Sequence, residues 1–169
     1  MMSRLFTLSI LFILLFPLLG FALDHCFISA GETYDIHPNI LWAIAKNESN
    51  FNPIAININK NGTYDYGIMQ INSWWYKTLG KENWQRLGDP CFNIHVGAWI
   101  LRQCMDKYGY SWDAIACYAA GTPKKGRWYT WRIYNTLNSY TTTKNNYKTI
   151  SYKTKKEGKN EGIGKRNFQ

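Results

Sequence analysis

Ile40-Leu41-Trp42-Ala43-Ile44-Ala45-Lys46-Asn47-Glu48-Ser49-Asn50 is an apolar stretch that ends on a carboxyl group. At helical spacing Ile40/Leu41, Ile44 and Glu48 fall near one face, and Pro53 stops the element. Beyond the stop the pattern changes. Ile and Asn alternate from Ile54, and Asn61-Gly62 supplies turn chemistry before Tyr66, so this segment reads as a hairpin rather than a helix.

Working outward, Ile28 to Tyr34 reads as a first helix, closed by the break Asp35-Ile36-His37-Pro38-Asn39. Downstream, Asn93 to Tyr108 carries Ile94, Val96, Trp99, Ile100 and Cys104 at helical spacing, with Gly109 as its stop. Ser111 is placed to cap a helix from Trp112 to Ala120, which Gly121-Thr122-Pro123 ends. A last helix is expected over Trp128 to Leu137. The fold class is therefore α+β, mainly helical, with a small β-hairpin.

The chain has 169 residues, enough for one compact domain with a real core. Apolar residues make up 46% and aromatics 17%, which excludes a disordered chain. Arg4 and the apolar run Leu5 to Leu19, followed by Gly20-Phe21-Ala22, form a secretory signal pattern; the run is short for a membrane span. The expected organisation is a signal peptide at 1–22, a core domain at 23–140 and a basic, flexible tail at 141–169. The formal charge of +9 sits mostly on that tail, where eight Lys/Arg stand against Glu157 and Glu161. Such a tail suits anionic polymers, phospholipid head groups or a protein partner, or is simply a solvated extension. Nucleic acid is not expected as a partner of an exported protein.

Export sets the redox compartment. Cys26, Cys91, Cys104 and Cys117 all follow the signal, and an even number in an oxidising compartment reads as two disulfides. Three pairings are open. Cys26–Cys91 with Cys104–Cys117 is favoured, because the last two flank a helix–turn–helix whose ends can meet. No metal site is expected: the cysteines lack C-x-x-C spacing, and His25, His37 and His95 show no ligand pattern.

Glu48 carries the chemistry. At the end of an apolar helix a carboxyl meets the negative end of the helix dipole and, if buried, loses hydration, and both effects favour the protonated form. That is the requirement for an acid delivering a proton to a poor leaving oxygen. Taken alone, the residue reads first as a surface or capping carboxylate, and only second as an acid. Its surroundings are more specific: Glu48-Ser49 precedes Gly67-Ile68-Met69-Gln70-Ile71-Asn72, then Asp89-Pro90-Cys91-Phe92-Asn93-Ile94 leading into Gly97-Ala98-Trp99-Ile100-Leu101, and Ala116-Cys117-Tyr118-Ala119-Ala120-Gly121. In order and spacing these segments resemble the lysozyme-like lytic transglycosylases, and among them the small members that accompany type III and type IV secretion systems and type IV pili. The resemblance covers roughly residues 24 to 137.

The resemblance implies a lysozyme-like fold with the hairpin beside an active-site groove, Glu48 as general acid and base, and Ser49 as the residue that orients it. It also implies Gly67, Met69 and Gln70 in the segment lining the glycan groove, Tyr118 as a sugar contact, and Tyr129 as the tyrosine that reaches the catalytic carboxyl. Ala119 departs from the family, which commonly has Asn there, so one sugar contact is missing. Asp65, at the end of the hairpin, is a second carboxylate able to stabilise an oxocarbenium-like transition state or act as nucleophile; it is also a residue that turns favour for local reasons.

The function so implied is cleavage of the MurNAc-β-1,4-GlcNAc bond in peptidoglycan with a 1,6-anhydro product, in the periplasm, opening the wall for a secretion or pilus apparatus. No cofactor or metal is required. The expected partners are glycan strands and assembly proteins of such an apparatus, with the chain itself a monomer. A hydrolytic muramidase and a non-catalytic wall-binding assembly factor are the rival readings.

Overall fold

Glu48 is delivered by a helix whose two ends are both built for stopping. Pro38 occupies the first turn, where its missing N–H costs nothing, and the His37 ring Nδ1 accepts the Asn39 N–H at 3.2 Å. The helix runs Pro38–Ser49 (α2) and buries Ile40, Leu41, Ala43, Ile44 and Ala45. It ends because Asn50 turns left-handed (φ 52°, ψ 40°), and Phe51 follows with φ 65°. The computed structural model describes residues 23–144; the expected signal segment, and the expected tail from residue 145 on, lie outside the described residues. Residues 23–34 are helical (α1).

After α2 come three short strands, β1 (Ile56–Ile58), β2 (Tyr64–Tyr66) and β3 (Ile71–Asn72), paired antiparallel in that order. Asp65 faces Asn57 across one ladder and Asn72 across the other. The alternating segment around Asn61-Gly62 thus forms the expected hairpin, with Gly62 at φ 82°. The third strand was not foreseen from sequence. A 3₁₀ turn at Ser73–Trp75 then leads into Tyr76–Arg86 (α3), which is broken at Gly80 (φ 74°, ψ 167°).

The next helix, α4, spans Pro90–Tyr108 and begins three residues earlier than its apolar pattern. The reason is its cap: the Asp89 carboxylate accepts the Phe92 N–H at 2.7 Å, ahead of a proline in the first turn. α5 (Trp112–Ala120) matches its expected bounds and closes on left-handed Gly121. The Ser111 side chain makes no capping bond there; its hydroxyl donates to the Tyr108 carbonyl at 2.9 Å. The last helix, α6, is longer than expected at both ends and runs Pro123–Lys144. Pro123 starts it instead of ending α5.

The chain forms two compact units divided after Trp99, within α4. In the first, Cys26 of α1 is bonded to Cys91 of α4. The Phe51 ring meets Phe27 of α1 edge-on at 6.3 Å and Trp42 of α2 at 5.3 Å. Trp75 packs on Trp99 at 5.3 Å. In the second, Cys104 of α4 is bonded to Cys117 of α5, and α5 packs along α6. Gly126 permits that approach, because a side chain there would strike the Ala116 carbonyl.

Candidate active site

Ser49 ties the end of α2 to the segment that follows β2. Its hydroxyl donates to the Ile68 carbonyl at 2.8 Å, far better than the 3.4 Å to Ala45 in its own helix. Glu48, one residue earlier and half-buried in the last turn of α2, is therefore held on an anchored terminus. Its position at the negative end of the helix dipole is the one the sequence argument requires.

The segment Gly67–Gln70 is fixed from the other side by Asn93, a fully buried polar residue in the first turn of α4. Its amide nitrogen donates to the carbonyls of Tyr66 (3.2 Å) and Leu87 (3.1 Å), and its oxygen accepts the Met69 N–H at 2.9 Å. Gly67 has φ +80°, and a Cβ there would strike the Asn93 amide, so glycine is required twice over. Gln70 is left-handed as well (φ 50°); its amide donates to Gly67 O (2.9 Å) and Ala55 O (3.2 Å). Met69 is fully buried, and its side chain lies against the bare backbone of Gly97. It faces the core, so what Met69 can offer a ligand is backbone.

Asp65 sits on the middle strand, half-buried. One carboxylate oxygen accepts the Asn72 amide at 2.6 Å, and the other the Asn59 amide at 2.9 Å, with Asn57 at 3.5 Å. Thr63 closes the network, accepting from both Asn59 and Asn72 at 3.1 Å. Charge-assisted bonds of this kind hold the carboxylate in one orientation. The fixed segments thus tie Ser49, one residue after Glu48 in the chain, to the segment that holds Gly67, Met69 and Gln70. Tyr118 and Tyr129 stand on α5 and α6 of the second unit, the first half-buried and the second buried.

Residues 25–160 match the family described as "Transglycosylase SLT domain". The chain belongs to this family. The SLT domain accounts for the observed architecture, a mainly helical lysozyme-like fold with a small antiparallel sheet, and its members are lytic-transglycosylase-type enzymes acting on peptidoglycan. The chain is similar to Protein IpgF of Shigella sonnei, 43% identical over 128 residues, which is 73% of this chain and 81% of that one. It is 45% identical to Invasion protein IagB of Salmonella typhimurium (strain LT2) over 103 residues, 59% of this chain and 64% of that one. X polypeptide of Escherichia coli (strain K12) is 39% identical over 105 residues, 60% of this chain and 62% of the other.

Asn93 is the site residue that sequence reasoning missed. The signal was present: Asn93, Gly97 and Leu101 recur at i, i+4 and i+8 on one face of the helix, and neither of the other two is polar. A polar residue in such a row, flanked by a close-packing glycine, marks a buried hydrogen-bonding role.

Proposed function

We propose that this SLT-domain chain is an exported lytic transglycosylase that cleaves the MurNAc-β-1,4-GlcNAc bond and releases a 1,6-anhydro product. The observation that carries the reading is the bond from Ser49 to the Ile68 carbonyl, which couples the Glu48 terminus to the Gly67–Gln70 segment. In the reaction protonated Glu48 donates to the glycosidic oxygen as the C1–O bond breaks, leaving an oxocarbenium-like sugar. As carboxylate, Glu48 then accepts the proton of the muramic C6 hydroxyl, whose oxygen bonds C1. The acid is regenerated and no cofactor enters. Asp65, with both oxygens fixed by asparagine amides, is proposed to stabilise the positive charge on the ring. Tyr118 and Tyr129 are proposed as substrate-site residues on the family resemblance.

A second reading, hydrolysis by water in place of the C6 hydroxyl, draws support from the same fixed Asp65. Mass spectrometry of digested sacculi separates the two. Anhydro ends are expected, whereas reducing ends alone would make the chain a muramidase.

Export through removal of residues 1–22 belongs to this proposal, and two disulfides suit an oxidising compartment. So does a catalytic domain at 23–140 followed by a basic tail. A role in opening the wall for a secretion or pilus apparatus, with assembly proteins of that apparatus as partners, rests on the subfamily resemblance and on a relative named as an invasion protein.

A further inference from the structure

The last helix has two unlike faces. In α6 the buried positions are Gly126, Tyr129 and Ile133, which fall within roughly 60° of one another at 100° per residue. The opposite arc, about 100° wide, carries Lys124, Trp128, Trp131, Arg132 and Asn135. Trp128 is 58% exposed and Trp131 66%, with Tyr134 beside them at 43%. These rings are ordered among themselves. The Arg132 guanidinium lies over the Trp128 ring at 5.9 Å, and Tyr134 meets Trp131 edge-on at 5.8 Å. α6 packs on α5 through Gly126, and Trp112 of α5 meets Tyr134 edge-on at 6.0 Å, which leaves the outward indoles of Trp128 and Trp131, three residues apart, without a role in the core.

Charge identifies the occupant. From Pro123 to Lys144 the helix carries five basic residues (Lys124, Lys125, Arg127, Arg132, Lys144) and no Asp or Glu. A neutral sugar ring or an apolar protein groove would use the indoles and leave the cations without a role. Indoles among Lys and Arg on one side of a helix are the composition of a segment that lies in the lipid headgroup layer, where the ring is half-immersed and the cations meet phosphate. No helix among the described residues is long and apolar enough to cross a membrane.

We propose that this face docks the protein on an anionic phospholipid surface. α6 then lies along the membrane plane, with Trp128 and Trp131 entering the headgroup region and Lys124, Lys125 and Arg127 facing the phosphates. Docking uses none of the groups assigned to bond cleavage, so it stands or falls separately from the enzymatic reading.

The test is vesicle flotation of the full mature chain. Phosphatidylcholine vesicles are compared with vesicles of phosphatidylcholine mixed with phosphatidylglycerol. Wild type is expected to bind the mixed vesicles in preference, and less so in high salt. Trp128→Ser/Trp131→Ser is expected to weaken that binding about tenfold or more, and so is Lys124→Glu/Lys125→Glu. Both variants keep the basic tail, so its attraction cancels from the comparison. Trp74→Ser removes an indole of equal exposure, 66%, from the first unit and is expected to change binding less than about twofold. Circular dichroism checks that the variants stay folded. Unchanged vesicle binding by the Trp128/Trp131 variant, an equal loss in Trp74→Ser, or a loss of binding to purified sacculi instead of vesicles would each overturn the proposal.

Discussion

Asn93→Ala removes the clamp under the candidate active site. The side chain is fully buried and makes three hydrogen bonds, to Tyr66 O, Leu87 O and Met69 N. Each buried backbone group left without a partner costs about 1–3 kcal/mol. Water entering the vacated space offsets part of that, so the expected net loss is about 3 kcal/mol. For a chain of this size that is a fall of about 10 °C in Tm, read by circular dichroism. Asn93→Asp keeps the acceptor for Met69 but turns a carboxylate towards two carbonyls, and it should be at least as damaging. Because Asn93 holds Gly67–Gln70, wall-digesting activity should fall further than the unfolded fraction explains, even well below the new Tm. An Asn93→Ala protein within about 0.5 kcal/mol of wild type and fully active would refute the clamp.

Other perturbations separate local roles. Ser49→Ala loses the bond to Ile68 and should cost only about 1 kcal/mol in denaturant melts while lowering turnover more than tenfold; equal small effects on both would leave Ser49 a plain helix-end residue. Asp65→Asn should lower turnover about tenfold or more with little change in Tm, and a change in Tm alone would assign Asp65 to the hairpin. Replacing Cys26 and Cys91 opens a loop of 65 residues and should cost about 4 kcal/mol, against about 3 for the 13-residue loop of Cys104 and Cys117, both read by urea unfolding. Burial against Ser29 and Tyr34 lowers the His95 pKa from 6.5, so the unfolded chain takes up that proton first. Stability should therefore decline as pH drops below about 6.5, and His95→Gln should flatten the decline in Tm measured across that range.

The sequence was most legible where apolar periodicity and punctuation agree. Ile40 to Ser49 shows a core row between two prolines, although the helix stops on left-handed Asn50 rather than at Pro53, and the role expected of Glu48 came from the motifs around it. Asn61-Gly62 between alternating residues announced the hairpin for the same reason. α3 escaped because Tyr76–Arg86 buries no residue completely and is split by Gly80, so it carries no core row to read. β3 is two residues long, too short for any alternation. Pro123 read as the end of α5, yet it starts α6, and Gly126 within that helix lets it touch α5; both roles are tertiary, and local propensity argues the opposite way. In the candidate site the directions of side chains were not legible. The Met69 side chain turns to the core against Gly97, and the Ser49 hydroxyl bonds the Ile68 carbonyl nineteen residues on.

Purified sacculi digested by wild type and Glu48→Gln show directly whether Glu48 breaks the glycan strand. The substituted amide keeps the size of the side chain and cannot deliver a proton, so release of soluble muropeptides should fall at least about a thousandfold with the fold intact. Release by Glu48→Gln at the wild-type rate would rule out Glu48 as the proton donor.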